Sequence, residues 1–240
     1  MFSSTDPLAE LARHVEAEVF LDAFGNTADQ LDQEYGQYEP SSVFFCVIDH
    51  LRSLPAGMIR ILVPNPDPGL KSLNDLGRCW GIKDQGPIPG ISYGLPQMAT
   101  WDIASLAVAR DYQAAIATGL VSLGLYQAVI TVAQRREVSH MVAILDSVVH
   151  RMSRWKFHRP FQVLAGAAPL AYLGSEASIP VYCELSQWKA RLAEKDPPLH
   201  EIIFAGRGLE AAIRPADLDR SEAIVSSLMA EACAGRQLPA

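Results

Sequence analysis

The chain has 240 residues, 49% of them apolar and 20% charged, with a formal charge of −7. That balance describes one globular domain and excludes a disordered or fibrous chain. The acidic excess is the opposite of the footprint that nucleic-acid binding needs, and the longest apolar runs, Val43 to Ile48 and Met58 to Val63, fall far short of the ~20 residues of a membrane-spanning helix.

In chain order, Asp6-Pro7 followed by Leu8, Leu11, Val15, Val19 and Phe20 predicts an amphipathic helix that ends at Phe24-Gly25, where glycine accepts a left-handed cap. Asn26 to Tyr38 reads as a polar, acidic connection. Ser42 to Asp49 and Gly57 to Val63 are β-rich runs around a short polar segment, a hairpin signal. Pro64 to Gln97 is too dense in Pro and Gly for one regular element; with a short helix over Leu70 to Leu76 it is a candidate substrate lid. Thr100 to Ala109 predicts a strand that carries Asp102 and Ser105 at a spacing that does not alternate. Beyond it follow a helix over Val121 to Glu137, a buried strand over His140 to Leu145 and a basic helix over Ser147 to Phe157. Strands at Phe161 to Ala165 and Ile179 to Leu185 come next, then peripheral helices at Gln187 to Glu194 and Pro215 to Ala234.

Cys46, Cys79, Cys183 and Cys233 never reach CxxC spacing, which argues against a disulfide framework or structural zinc and makes them reduced core thiols. The six histidines never fall at HxH or HxxxH spacing, so no metal site is expected. The N-terminus lacks the basic start and apolar core of a signal peptide, so a cytoplasmic location is expected. One basic island interrupts the acidic chain: Ser147 to Ser175 holds no Asp or Glu but carries Arg151, Arg154, Lys156 and Arg159 with His150 and His158. Such an island attracts a phosphate group or an acidic protein, or is a solvated helix face.

A strand ending in Leu106-Ala107-Val108, then Arg110-Asp111-Tyr112-Gln113, a helix, a strand, a helix and a strand resembles the core of the GNAT superfamily of N-acyltransferases over residues 42 to 185. Within it the order of three segments is similar to acyl-homoserine-lactone synthases and long-chain N-acyl amino acid synthases. These are Glu18-Val19-Phe20 followed by Glu34-Tyr35-Gly36-Gln37-Tyr38, then Gly57-Met58-Ile59-Arg60-Ile61-Leu62, and Trp101-Asp102-Ile103-Ala104-Ser105-Leu106-Ala107-Val108. The resemblance implies an α/β fold: a mixed, mostly antiparallel sheet with a splayed parallel strand pair and helices on both faces. It implies a single domain over residues 1 to 240, with 186 to 240 a helical C-terminal extension.

Where two parallel strands part, an extended pantetheine arm can pair with the open strand edge. A backbone N–H near Ala107 or Val108 would then donate to the thioester oxygen, an interaction typically worth ~3–4 kcal/mol in the transition state. The resemblance makes Asp102 a base or ammonium ligand, or else a structural carboxylate paired with Arg60. Arg60 is that ion-pair partner or a clamp for a substrate carboxylate. It puts Glu34 and Tyr35 at the acceptor, unless they are solvated surface, and makes Trp101 a pocket wall or core. Ser105 stands where the lactone synthases carry an Arg, which points to a different amine acceptor.

The CoA-cradling Gln/Arg-x-x-Gly-x-Gly/Ala loop is replaced by Gln113-Ala114-Ala115-Ile116-Ala117-Thr118. With Gln113, the basic residues Arg151, Arg154, Lys156 and Arg159 therefore point to an acyl-phosphopantetheine donor on an acyl carrier protein, acyl-CoA being the other option. The thiolate-protonating Tyr of many acetyltransferases falls near Met152. No Gly-x-Ser-x-Gly elbow appears, so direct transfer to a small amine such as an amino acid is expected, with no tightly bound cofactor. An apolar tunnel beneath Phe44, Ile59, Ile61, Leu145 and Val163 would hold the chain, unless these residues form ordinary core. The rival readings are an acetyl-CoA-dependent N-acetyltransferase and a non-catalytic acyl- or pantetheine-binding protein.

Overall fold

Leu8, Leu11, Ala12 and Val15 form the buried side of the first helix, α1 (Ala9–Phe24), and Gly25 ends it at φ 71° in the left-handed conformation its sequence predicts. The computed structural model describes residues 1–83, 95–113, 117–213 and 217–233. The polar stretch after α1 is helical: Thr27 and Gln30 make a reciprocal capping box that opens α2 (Ala28–Tyr35), and Leu31 and Tyr35 are its buried side. The strands are β1 (Phe2–Ser3), β2 (Ser42–Asp49), β3 (Leu54–Leu62), β4 (Thr100–Val108), β5 (His140–Asp146), β6 (Gln162–Val163), β7 (Leu170–Tyr172) and β8 (Ser175–Glu184). The remaining helices are α3 (Lys71–Trp80), α4 (Ala117–Arg135), α5 (Ser147–Lys156), α6 (Leu185–Lys195), α7 (Pro197–Ile203) and α8 (Leu218–Cys233).

The strands form one sheet in the order β1-β2-β3-β4-β5-β8-β6, with β7 on β8, and every pairing is antiparallel except β4 with β5. This is the mixed sheet with one parallel pair that the resemblance implies. Helices α1 and α3 cover one face and α4 to α7 the other.

Several expectations change. The strand expected at Phe161 to Ala165 is only two residues long, because Ala165 turns the chain at φ 51°. The helices after residue 185 are not peripheral: Trp188 and Leu192 of α6, with Ile203 and Phe204, enter the main core, and α8 packs Ile224 and Val225 on Leu8 and Leu11. Cys79 is exposed rather than buried. The candidate lid lies partly outside the described residues. Its short helix is α3, which continues past Leu76 to Trp80 because the chain first reaches a left-handed cap at Gly81, at φ 69°.

Candidate active site

Asp102 and Ser105, three residues apart, cannot share a face of a regular strand, where side chains alternate. In β4 they do. Arg60 of β3 pairs with Ser105 and Ile61 with Ile103, so Ala104 is an extra, bulged residue. The Tyr35 hydroxyl donates to the Ala104 carbonyl at 3.0 Å and ties α2 to the bulge.

At the same level β4 and β5 separate. Their parallel ladder joins Thr100–Ile103 to His140–Ala143 and stops, while β4 runs on to Val108 and β5 to Asp146. Beyond the bulge the Ala109 amide donates to the Ala56 carbonyl at 3.0 Å, so by alternation Ala107 faces β3, whereas the amides of Leu106 and Val108 face the gap. Ala107 pairs with Met58 in the ladder and is not on the open edge. The Val108 carbonyl accepts from Gln113 Nε2 at 2.8 Å.

The gap widens into a cleft of about 530 Å³ that passes between the sheet's two faces. Toward α4 and α5 its wall is mostly apolar, with Leu123, Tyr126, Val149, Met152, Phe157 and Phe161. Toward α1 and α3 it is more polar, with Tyr35, Lys71, Ser72, Ser105, Tyr172 and Ser178, beside Phe20 and Phe24. The expected tunnel residues divide differently: Leu145 lines the cleft, Phe44, Ile59 and Ile61 are core, and Val163 lines a separate groove.

Two buried charge networks support the polar wall. In the first, Arg60 donates to Glu16 at 3.1 and 2.6 Å and to Glu39 at 2.8 Å, and Ser105 donates to Glu16. Arg60 also lies over the Tyr35 and Phe44 rings, 4.4 and 4.7 Å from their centroids. Burial works against this guanidinium, but Glu16 and Glu39 hold its pKa above the ordinary value. The sequence expectation that Arg60 pairs with Asp102 is therefore corrected: its partner is Glu16, a carboxylate on the buried side of α1.

In the second network Lys71 Nζ meets Glu34 at 3.0 Å, Asp75 at 2.5 Å and the Tyr172 hydroxyl at 2.7 Å. Burial opposes ionisation of Asp75, yet hydrogen bonds from Lys71 and Tyr172 hold its carboxyl below the usual range. The same burial and the Asp75 charge drive the Tyr172 phenol upward, and burial with the Glu16 charge does so for Tyr35. Both phenols stay protonated.

Asp102 is fully buried behind this wall. Its carboxylate accepts from the Ser72 amide at 2.6 Å and the Ser72 hydroxyl at 2.7 Å, fixing the first turn of α3, whose preceding Leu70 offers no cap. Burial pushes its carboxyl up to about 6 against those hydrogen bonds. Ser72, not Asp102, lines the cleft. Trp101 points to the other face, into the core beside Met141 and Cys183. Tyr35 and Ser105 meet at the polar wall, and Glu34 and Glu16 stand behind it, tied to it through Lys71 and Ser105.

The basic island divides around α5. Lys156 lines the cleft, while Arg154 and Arg159 line a groove of about 590 Å³ with His150, His158, Arg191 and Lys195. Arg191 donates to the carbonyls of His158 and Arg159, which holds that turn although the two residues have φ of 53° and 57°. The outward side of α5 exposes Trp155 (82%) and Val148 (60%) on the same surface as Arg151. Residues 114–116 of the altered phosphate loop lie outside the described residues.

Sequence reasoning missed Glu16, Lys71, Asp75 and Tyr172. Glu16 had a signal, being an acid on the apolar stripe of an amphipathic helix, which requires a cation opposite it. Lys71 and Asp75 stand at i, i+4; Tyr172, about a hundred residues on, had none. Among the described residues no cluster of three or more His, Cys, Asp or Glu could hold a metal ion, and no helix is long and apolar enough to cross a membrane.

No protein-family model and no curated protein sequence matches the chain. Solved structures do. FeeM, an N-acyl amino acid synthase from uncultured soil microbes, superposes with a TM-score of 0.53 at 15% identity, over 77% of this chain and 89% of FeeM. A Lactobacillus plantarum protein described as an N-acetyltransferase gives 0.49 at 13% identity, over 77% of this chain and 96% of that one. TofI, in a ternary complex with an inhibitor and MTA, gives 0.49 at 15% identity, over 80% and 93%. The FeeM superposition shows a shared fold, and this chain's own mixed sheet with one parallel pair is consistent with a GNAT-like α/β fold.

Proposed function

We propose that the protein is an N-acyltransferase that moves an acyl chain from a pantetheine thioester to the amine of a small molecule. The observation that carries this reading is the cleft through the splayed strands, apolar on one side and polar on the other, with two backbone amides on its open edge. A pantetheine arm pairs with that edge, its acyl chain lies against the α4–α5 wall, and the amine approaches from the α1–α3 wall. The uncharged amine nitrogen attacks the thioester carbon, the C–S bond breaks as the C–N bond forms, and the proton lost by nitrogen leaves with the thiol. The amides of Leu106 and Val108 donate to the oxygen as charge develops on it. Asp102 acts as a positioning residue through Ser72 and α3, while Tyr35, Glu34, Arg60 and Ser105 shape the acceptor side.

The donor is an acyl-phosphopantetheine on an acyl carrier protein. Its support is the concentration of Arg151, Arg154, Lys156 and Arg159 with Arg191 and Lys195 around α5, beside the cleft, in a chain of net charge −7. An acidic carrier meets complementary charge there.

Intact-mass spectrometry of the protein with acyl-carrier and acyl-CoA thioesters and a pool of amines tests the reading. Thioester loss matched by new amide is expected, faster from the carrier. Reversing charge at Arg154 and Arg159 should raise KM for the carrier donor roughly tenfold or more and leave a free pantetheine thioester unaffected. Turnover of CoA donors alone would reassign the donor, and no turnover of any thioester would refute acyl transfer.

A further inference from the structure

Among the described residues two carboxylates line the cleft, Asp146 and Asp196. Asp196 caps α7 and meets His158 at 3.4 Å. Asp146 meets no cation among the described residues. It ends β5 and caps α5: Oδ1 accepts from the Val148 amide at 2.7 Å and the Val149 amide at 3.4 Å, and Oδ2 accepts from the Ser175 hydroxyl at 2.7 Å. A carboxylate offers about four acceptor directions. Three are used here, so one remains on Oδ2.

Asp146 stands on the polar side of the cleft. Val142 of β5 packs with Leu70 and Leu76 on the α3 face, and residues 142, 144 and 146 share that face by alternation. Ser178 lies opposite Asp146 in the β5–β8 ladder, lines the same wall at 3% exposure, and has no hydroxyl partner among the described residues. Lys71, the cation on this wall, is already matched by Glu34 and Asp75. The polar wall therefore keeps one carboxylate lone pair and one hydroxyl unmatched, side by side, at the C-terminal end of the splayed strand β5.

We infer that Asp146, with Ser178, binds the protonated amino group of a primary-amine acceptor and so selects cationic amines. The inference rests on the acyl-transfer reading and adds a residue to its acceptor side. Asp146 acts on binding: the acceptor must shed its proton to water before attack, and the carboxylate positions and concentrates the cation that precedes it.

Asp146→Asn isolates the charge, because Asn caps a helix as well as Asp does. The enzyme-dependent loss of octanoyl-pantetheine is followed with two probes: leucine amide, largely cationic at pH 7, and hydroxylamine, which is uncharged there. The variant should raise KM for leucine amide roughly tenfold to a hundredfold, the range for a lost charged hydrogen bond. KM for hydroxylamine and the melting temperature should not move. Asp146→Ser, another neutral cap, should repeat this pattern. An unchanged KM for leucine amide, or equal losses for both probes, overturns the inference. If wild type uses hydroxylamine but not leucine amide, the inference falls and acyl transfer stands; if it uses neither, both fall.

Discussion

Replacing Asp102 by Asn tests the account of the buried carboxylate quantitatively. Asp102 carries its proton up to about 6, against an ordinary 3.8, because burial outweighs the Ser72 hydrogen bonds and the nearby Lys71 charge. An acid whose folded pKa is raised binds more protons folded than unfolded between these two values. Its contribution to stability is complete below 3.8 and is lost as pH rises through about 6. The loss at neutral pH is about 3 kcal/mol. Asn cannot ionise, yet its oxygen still accepts from the Ser72 amide and its NH₂ can donate to the Ser72 hydroxyl. Urea unfolding at intervals from about pH 4 to pH 7, on both proteins, should therefore show wild type losing about 2–3 kcal/mol relative to the variant across that window. A difference that stays flat with pH would refute the argument, because it would mean that Asp102 ionises in the fold as easily as in the unfolded chain.

Arg60→Met removes the cation from between Glu16 and Glu39 and leaves a buried carboxylate unpaired, so stability should fall by about 3–5 kcal/mol in chemical denaturation. Gly174→Ala places a Cβ 2.4 Å from the Phe24 carbonyl oxygen at a residue with φ +83°. It should cost about 2 kcal/mol or more, and thermal melts will show whether the β7–β8 turn can move away from α1. Tyr35→Phe strips the bulge carbonyl of its donor and should cost about 1–2 kcal/mol, with a lower kcat in thioester transfer if the bulge sets the position of the open edge.

The parts of this fold that could be read from sequence are those whose determinants are local. The α1 cap at Gly25 and the β2–β3 hairpin need only near neighbours. The capping box Thr27-Ala-Asp-Gln30 was equally local, but the acidic composition of the stretch masked it. The site is different because its contacts are long-range. Arg60 could be recognised as needing an acid, yet Asp102 and Glu16 stand on the same side of the sheet, and the choice depends on position along β3: Asp102 lies opposite Leu62 and is taken by Ser72 of α3, whereas Glu16 of α1 lies over Arg60 and Ser105. Tyr172 joins Lys71 and Asp75 only because β7 folds back on β8 beside α3.

The bulge at Ala104 links these facts into one mechanism of construction. Before it, β4 is in phase with β5, and Asp102 turns to α3 to anchor Ser72. One extra residue shifts the phase, so Ser105 also turns to that face and reaches Glu16 on α1, while Leu106 and Val108 present their amides to the gap. A bulged strand bends and twists more than its neighbour, which is why the parallel ladder ends where the bulge begins. Without it, Ser105 would point toward α4 and Glu16 would lose a donor, and the amide of Ala107 would take the place of its neighbours on the open edge. The odd spacing of Asp102 and Ser105 is thus the sequence trace of the cleft itself: two polar residues that share a face three positions apart require a bulge between them, and in this sheet the bulge opens the site.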